Sequence, residues 1–241
     1  MENTIYIGLS RLSALQTNMD IIANNIANIN TPGYKASKMV FAEYLDKPRA
    51  MNETLSMVED YGNFRVAANG PIKMTGNPLD VALQGPGYFG VQGPNGKTMY
   101  TRAGAFMTDP EGNLVTQQGY KVLDSGGAPI TIPVGARDIV IDPTGSIATE
   151  EGTVTSLMVQ EFANIQSLTP FGDTLYETKE AGTPAVKTQV VQNGLEGSNT
   201  QGVVEMTDMI DVSRSYQSVA KMLQNEHDRM RSTIKSLTTA T

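Results

Sequence analysis

The stretch from Ile5 to Lys35, IYIGLSRLSALQTNMDIIANNIANINTPGYK, decides the fold. Stepping by seven from Ile5 gives Leu12, Met19 and Ile26, and the positions three further on are Gly8, Leu15, Ile22 and Ile29. We label these two sets a and d. Apolar residues recurring in this way lay one seam along a helix, and a helix on its own has nothing to bury that seam against. The spacing therefore predicts a helix that needs a partner, ending near Ile29. Pro32 pushes Thr31 out of the helical region, and Thr31-Pro32-Gly33-Tyr34 suits a turn with glycine at a positive-φ position.

The far end of the chain repeats the pattern. Met209, Tyr216, Leu223, Met230 and Leu237 share one heptad position, and Val212, Val219, Glu226 and Thr233 share the other; seven of the nine are apolar. From about Val203 to Leu237 this makes a helix roughly 50 Å long, against roughly 40 Å for the first. Between the ends no comparable stripe occurs. The middle, 61–192, is punctuated by Gly, Pro and Asn-Gly around short runs such as Leu79 to Leu83, Tyr88 to Val91, Ile139 to Ile141 and Val154 to Phe162, which read as strands and hairpins. Asp109-Pro110-Glu111-Gly112-Asn113-Leu114-Val115 is echoed by Asp142-Pro143-Thr144-Gly145-Ser146-Ile147-Ala148, each a tight turn entering a strand.

The expected fold class is thus α+β: a discontinuous, coiled-coil-like helical domain from 1–35 and 200–241, a connector at 36–60, a mainly-β insertion at 61–192, and a turn at 193–199 into the last helix. Lys47 to Glu59, polar and aperiodic with one proline, reads as a flexible connection. Each seam packs either on the other or on neighbouring subunits, and in a polymer both hold at once.

Composition excludes several classes of function. The 241 residues carry a formal charge of −7, which gives nucleic acid or an anionic membrane no general electrostatic reason to bind. Cysteine is absent, removing disulfides, thiolate metal sites and cysteine nucleophiles together. No run of about 18 apolar residues exists, so no membrane insertion is expected. The opening residues carry Glu2 rather than a basic cluster and space their apolar residues, unlike a cleavable signal peptide; work outside the cytoplasm would need another export route.

Four blocks carry a family resemblance. Asn24-Asn25-Ile26-Ala27-Asn28 followed by Asn30-Thr31-Pro32-Gly33-Tyr34-Lys35 resembles the N-terminal signature of the flagellar basal-body rod protein family, the axial proteins of rod and hook. Gly76 to Leu83 running on to Gly85 and Gly87-Tyr88-Phe89 resembles the family's β-domain entry, and Tyr100 to Phe106 with Gly112 to Val115 its next hairpin. Asn193-Gly194-Leu195-Glu196-Gly197-Ser198-Asn199 resembles the turn before its C-terminal helix. Glu2 to Tyr6 and Phe41 to Leu45 look like the proximal-rod branch, with the distal-rod branch as the alternative. Tyr34 and Tyr88 stand where phenylalanine is common, both still aromatic anchors.

The resemblance implies a structural subunit exported unfolded by the flagellar type III apparatus and assembled with copies of itself and other rod proteins into a helical tube across the periplasm, transmitting torque. It implies no enzyme, cofactor or metal. The family motif positions are then Asn24, Asn25, Asn28, Thr31, Pro32, Gly33, Tyr34, Leu195, Glu196, Ser198 and Asn199. The inter-subunit packing positions are Ile5, Leu12, Leu15, Met19, Ile22, Ile26 and Ile29 with Met209, Val212, Tyr216, Val219, Leu223, Met230 and Leu237. The competing reading from another class is a secreted β-rich binding module oligomerised by its helical ends.

Individual residues have bland alternatives. Asn18, Asn24, Asn25, Asn28 and Asn30 are poor helix formers, so they serve either a solvated flank or hydrogen bonds between helices of adjacent subunits. Glu226 interrupts the second seam, and a carboxylate there either pairs with a base, reaches water, or fixes register. His227, the only histidine, lies beside Glu226 and Asp228 and lacks the clustered ligands of a zinc site. Gly93-Pro94-Asn95-Gly96-Lys97-Thr98 fails as a phosphate loop because Val91 stands where the first glycine belongs, and reads as a hairpin turn. The methionines of the last helix, Met206, Met209, Met222 and Met230, suit core packing or an adaptable interface.

Overall fold

A computed structural model describes residues 2–46, 55–133, 135–136, 138–172 and 174–239, with side chains described outside 2–4, 41–61 and 236–239. The chain divides into two compact units. The first holds helix α1 (Glu2–Ala27), strands β1 (Ser37–Asp46) and β2 (Leu55–Arg65, its last residue in the other unit), and helix α2 (Gly202–Thr239). The second holds 28–36 and 65–200.

In the first unit α1 and α2 pack against each other. Position d of α1 at Gly8 lies against Leu223, where an added Cβ would come within 2.6 Å of Leu223 Cδ2. Asn25, two residues before the end of α1, bonds Glu205 in the first turn of α2, and Gly8 near the start of α1 meets Leu223 much further along α2, so the helices run antiparallel. The a and d residues are the covered ones: Ile22 and Val219 are buried, and Ile5, Leu12, Leu15, Met19, Ile26, Met209, Val212, Tyr216, Leu223 and Met230 are half-buried. The side chain of Leu237 lies outside the described residues. Two points differ from the heptad expectation. Ala14 and Ile21 are also buried, so the covered stripe of α1 is wider than a strict a/d seam. Ile29 is not a seam residue: the helix ends at Ala27, and Thr31 donates from its backbone to Asn28 O at 3.1 Å, curling Ile29 into a turn of the second unit.

The segment expected as a connector is not one over its described residues. β1 and β2 hydrogen-bond as a two-stranded sheet, and β1 packs on α1. Residues 47–54 of the expected flexible stretch lie outside the description. Ser37 to Asp46 mixes charged and apolar residues, which blurs the strand signal in the sequence. The motif turn 31–35 likewise belongs with the β unit rather than with the helices.

The second unit is a set of short antiparallel strands: β3 (Ile72–Met74), β4 (Val81–Gln84), β5 (Tyr88–Gln92), β6 (Thr98–Thr101), β7 (Phe106–Thr108), β8 (Leu114–Thr116), β9 (Val140–Ile141), β10 (Ser146–Thr149), β11 (Gly152–Ser156), β12 (Val159–Glu161), β13 (Thr169–Gly172), β14 (Leu175–Glu177), β15 (Thr183–Pro184), β16 (Gln189–Gln192) and β17 (Gly194–Glu196). The largest sheet has the order β13-β14-β6-β5-β12-β15, and β11-β10-β9 form a second; β16 pairs with β4, β17 with β3 and β7 with β8. Val81, Leu83, Phe89, Val91, Leu114, Val122 and Ile147 make the main core. β4 and β5 are buried on both faces, which is why they read as continuous apolar runs rather than alternating ones.

The two echoed turns are built alike. Asp109 accepts from the Asn113 backbone at 2.7 Å and Asp142 from Ser146 at 3.0 Å, with Gly112 and Gly145 at φ of 84° and 87°. A third copy of the device, Asp124 accepting from Gly126 and Ala128, was not read from the sequence because its residues do not match the other two. Bonds from Asn113 and Thr144 hold the first two carboxyls below their ordinary range.

Tyr88, Phe162 and Tyr176 form an edge-to-face aromatic cluster, and the Arg65 guanidinium lies 4.8 Å from the centre of the Tyr176 ring. Burial, then the neighbouring Tyr176, pushes the Tyr88 phenol up to about 12. The unfolded chain gives up that proton near 10.0 and the folded chain only near 12, so this group makes stability fall as pH rises through that window. Tyr88→Phe should flatten the fall, measured by urea titration at several alkaline pH values. Leu83→Ala, at a fully buried site, should cost about 2–5 kcal/mol, whereas Val186→Ala, 89% exposed, should stay within about 0.5 kcal/mol.

Candidate functional site

Two constellations contain the motif residues, one in each unit. In the β unit the turn after α1 and the turn before α2 lie side by side. Gly33 N donates to Glu196 O at 2.8 Å, Asn199 N to Tyr34 O at 3.4 Å, and Ala36 N to the Asn199 side chain at 2.7 Å. The Asn199 amide donates onward to Val66 O and Ala68 O, so one side chain ties three stretches of backbone. Gly33 has φ of 71°, and a Cβ there would come within 2.5 Å of Ala103 N; only glycine meets both demands. Thr31 bonds the Asn28 side chain at 3.1 Å, and Ser198 Oγ accepts from Thr200 N. Leu195 pairs with Lys73 across β3 and β17, while Ile29 and Pro32 line a cleft beside Leu195.

Beneath this junction Glu196 is almost fully buried between two cations. Lys35 Nζ lies 2.9 Å from one carboxylate oxygen, and Arg102 Nε bonds the other. Gly70 N also donates to Glu196, at 2.9 Å. Arg102, itself 1% exposed, spends its remaining donors on Asn69, Leu83 O and Gly87 O. Burial first, and Arg102 second, pull the Lys35 ammonium below its ordinary value, with Glu196 pulling the other way. Two cations around one carboxylate leave an excess positive charge inside the unit. This cluster was only partly legible: Lys35 and Arg102 stood within quoted motifs, but nothing local marked their convergence across 161 and 94 residues of chain.

In the helical unit the motif asparagines separate. Asn25, 1% exposed, donates to Glu205 at 3.0 Å and to Ser37 O at 2.8 Å, and accepts from Ser37 N. It therefore bonds within its own chain, joining α1, α2 and β1. Asn24 donates to Asp20 O within its own helix, and Asn18 lines a groove beside Ile22 and Val212. Glu226 is half-buried and pairs with Arg229, three residues on along α2. The polar residue best placed to fix the register of the helix pair is instead Glu205, buried three heptads earlier in the same seam position. His227 is exposed.

Glu196→Gln should destabilise the chain by about 3–5 kcal/mol, because it leaves Lys35 and Arg102 buried without their counter-charge. Chemical denaturation checks it; a loss under about 1 kcal/mol would mean that water, not Glu196, stabilises those cations.

Comparison with known proteins agrees with these positions. A family described as "Flagella basal body rod protein" matches residues 5–35, the "Flagellar hook protein FlgE/F/G D1 domain" matches 82–149, and the "Flagellar basal body rod FlgEFG protein C-terminal" matches 191–236. The chain is 38% identical to the flagellar basal-body rod protein FlgF of Caulobacter vibrioides over 98% of both chains. It is 36% identical to FlgG of Agrobacterium fabrum, over 90% of this chain and 92% of that one, and 30% identical to FlgF of Mesorhizobium japonicum over 98% of both. With the first relative matched end to end and all three blocks in order, the chain belongs to the flagellar basal-body rod protein family.

Proposed function

We propose that the chain is a structural subunit of the flagellar basal-body rod that polymerises through its terminal helices, working mechanically rather than as a catalyst. The single observation that carries this is the incompletely covered helix pair. Tyr6, Leu9, Val203, Met206 and Ile210 remain more than half exposed on α1 and α2, and most a and d residues are only half-buried. Apolar surface of this extent on a helix pair is a surface awaiting neighbours. The positions Ile5, Leu12, Leu15, Met19, Ile22, Ile26, Met209, Val212, Tyr216, Val219, Leu223 and Met230 serve twice, holding α1 to α2 and completing their burial against adjacent subunits. The motif junction around Glu196 ties together converging segments of the β unit.

The family relationship supports partners of the same kind: further copies and other rod proteins, with delivery by the flagellar type III apparatus and a place in the periplasmic part of the rod. The end-to-end match to a FlgF favours that branch, with FlgG as the alternative. Helical ends that complete their burial only on assembly gain order as they assemble.

Purified chain should form tubes or filaments by electron microscopy, with helix content by circular dichroism higher in the polymer than in dilute solution; equal helix content would count against the reading. Gly8→Val should push α2 off α1 at Leu223, costing the pair about 1–3 kcal/mol and lowering the pelleted fraction while leaving unfolding of the β unit unchanged.

A further inference from the structure

The two helices are unequal, and their register shows where the excess falls. Gly8 lies against Leu223, and six residues separate Gly8 from the start of α1 at Glu2, so α1 runs out about level with Arg229. Residues 230–239 of α2, about 15 Å of helix, continue past it. This overhang carries Arg231 and Lys235, both exposed, and between them Ile234, 62% exposed. At spacings of three and four these side chains share one face of the helix.

At the opposite end of the same helix pair lies a groove of about 290 Å³. Its apolar lining comes from Ile21, Ile22 and Val212, and its carboxylates are Glu205, Asp208 and Asp211, with Lys38 the one ammonium among them. Glu205 is occupied by Asn25. Asp208 and Asp211 are exposed, three residues apart, and neither forms an ion pair among the described residues. Groove and overhang thus have opposite charge, each with an apolar element between or beneath its charges.

We propose that the overhang of one copy docks into the acidic groove of the next, Arg231 and Lys235 against Asp208 and Asp211, with Ile234 on the Ile21, Ile22 and Val212 floor. The partner is a second copy of this chain. Because overhang and groove are different surfaces, the contact is heterologous and adds copies head to tail without closing. The inference rests on the polymerisation reading and supplies its direction: each copy offers its last turns to the first turns of α2 in its neighbour.

The test uses full-length chain in sedimentation velocity at low and moderate salt. Wild-type association should weaken as salt rises. Arg231→Glu with Lys235→Glu should lower the association constant about tenfold or more, and so should Asp208→Lys with Asp211→Lys, since each sets like charges face to face. Mixed in equal amounts, the two variants should recover association to within about threefold of wild type, because each overhang then meets a groove of opposite sign. Should a reversal variant lose its helix content, Asp208→Asn with Asp211→Asn tests the same contact and should weaken association and its salt dependence together. Unchanged association in the variants, or no recovery on mixing, overturns the docking while leaving polymerisation standing. A wild-type chain that never associates overturns polymerisation itself, and the docking with it.

Discussion

The β unit is organised by one buried carboxylate. Glu196 receives Lys35 from the segment after α1, Arg102 from the hairpin after β6 and Gly70 N from the approach to β3. Taking three charges out of water is costly, and that cost is offset by bonds to both carboxylate oxygens of Glu196 and to most donors of Arg102. An apolar plug of equal volume would fill the space but would accept many alignments of the converging segments. Directional bonds accept one. Asn199 and Gly33 depend on that alignment, since Gly33 tolerates no Cβ against Ala103 and Asn199 must reach the backbone at 36, 66 and 68 at once.

The helical unit follows a different logic. Its buried polar element, Asn25 with Glu205 and Ser37, lies near one end of the pair. A single buried polar contact in an otherwise apolar seam selects register at some expense of stability. Most of the rest of the seam is Ile, Leu, Val, Met and Tyr, only Ile22 and Val219 of them buried among the described residues, with a close approach at Gly8 beside Leu223. Methionine and half-covered aliphatic residues repack against surfaces that are not identical, which suits a helix pair meeting several kinds of neighbour.

What was legible in the sequence was what repeats locally. Each helix carries its own period, so the two terminal helices were legible locally, and the turn at Thr31 to Tyr34 follows from proline and glycine chemistry alone. The misreadings arose where distance or context decides. Ile29 kept the heptad count although Asn28 and Thr31 had already closed a turn around it. Strands β1 and β2 were hidden by their mixed polarity. Of the alternatives open to Glu226, the structure shows pairing with a base, Arg229; one step back from Val212 along the same series reaches Glu205, whose partner Asn25 lies 180 residues away. No window of sequence holds both members of that pair, nor of the Glu196 cluster.

The division of labour between the units has an energetic reason. Fully buried apolar side chains such as Val81, Leu83, Phe89 and Ile147 are concentrated in the β unit, while the helical unit exposes much of its large apolar surface. A chain whose stability came mainly from the helix seam would gain little from exchanging solvent for neighbours, because that surface would already be covered. Leaving the seam half-covered keeps its hydrophobic free energy available for association, at about 25 cal/mol per Å² of apolar surface removed from water. The compact core of the β unit meanwhile keeps the subunit folded whatever the helices are touching. The core of the β unit and the surface used in assembly are thus separate, while within the helical unit the same seam serves both the helix pair and its neighbours.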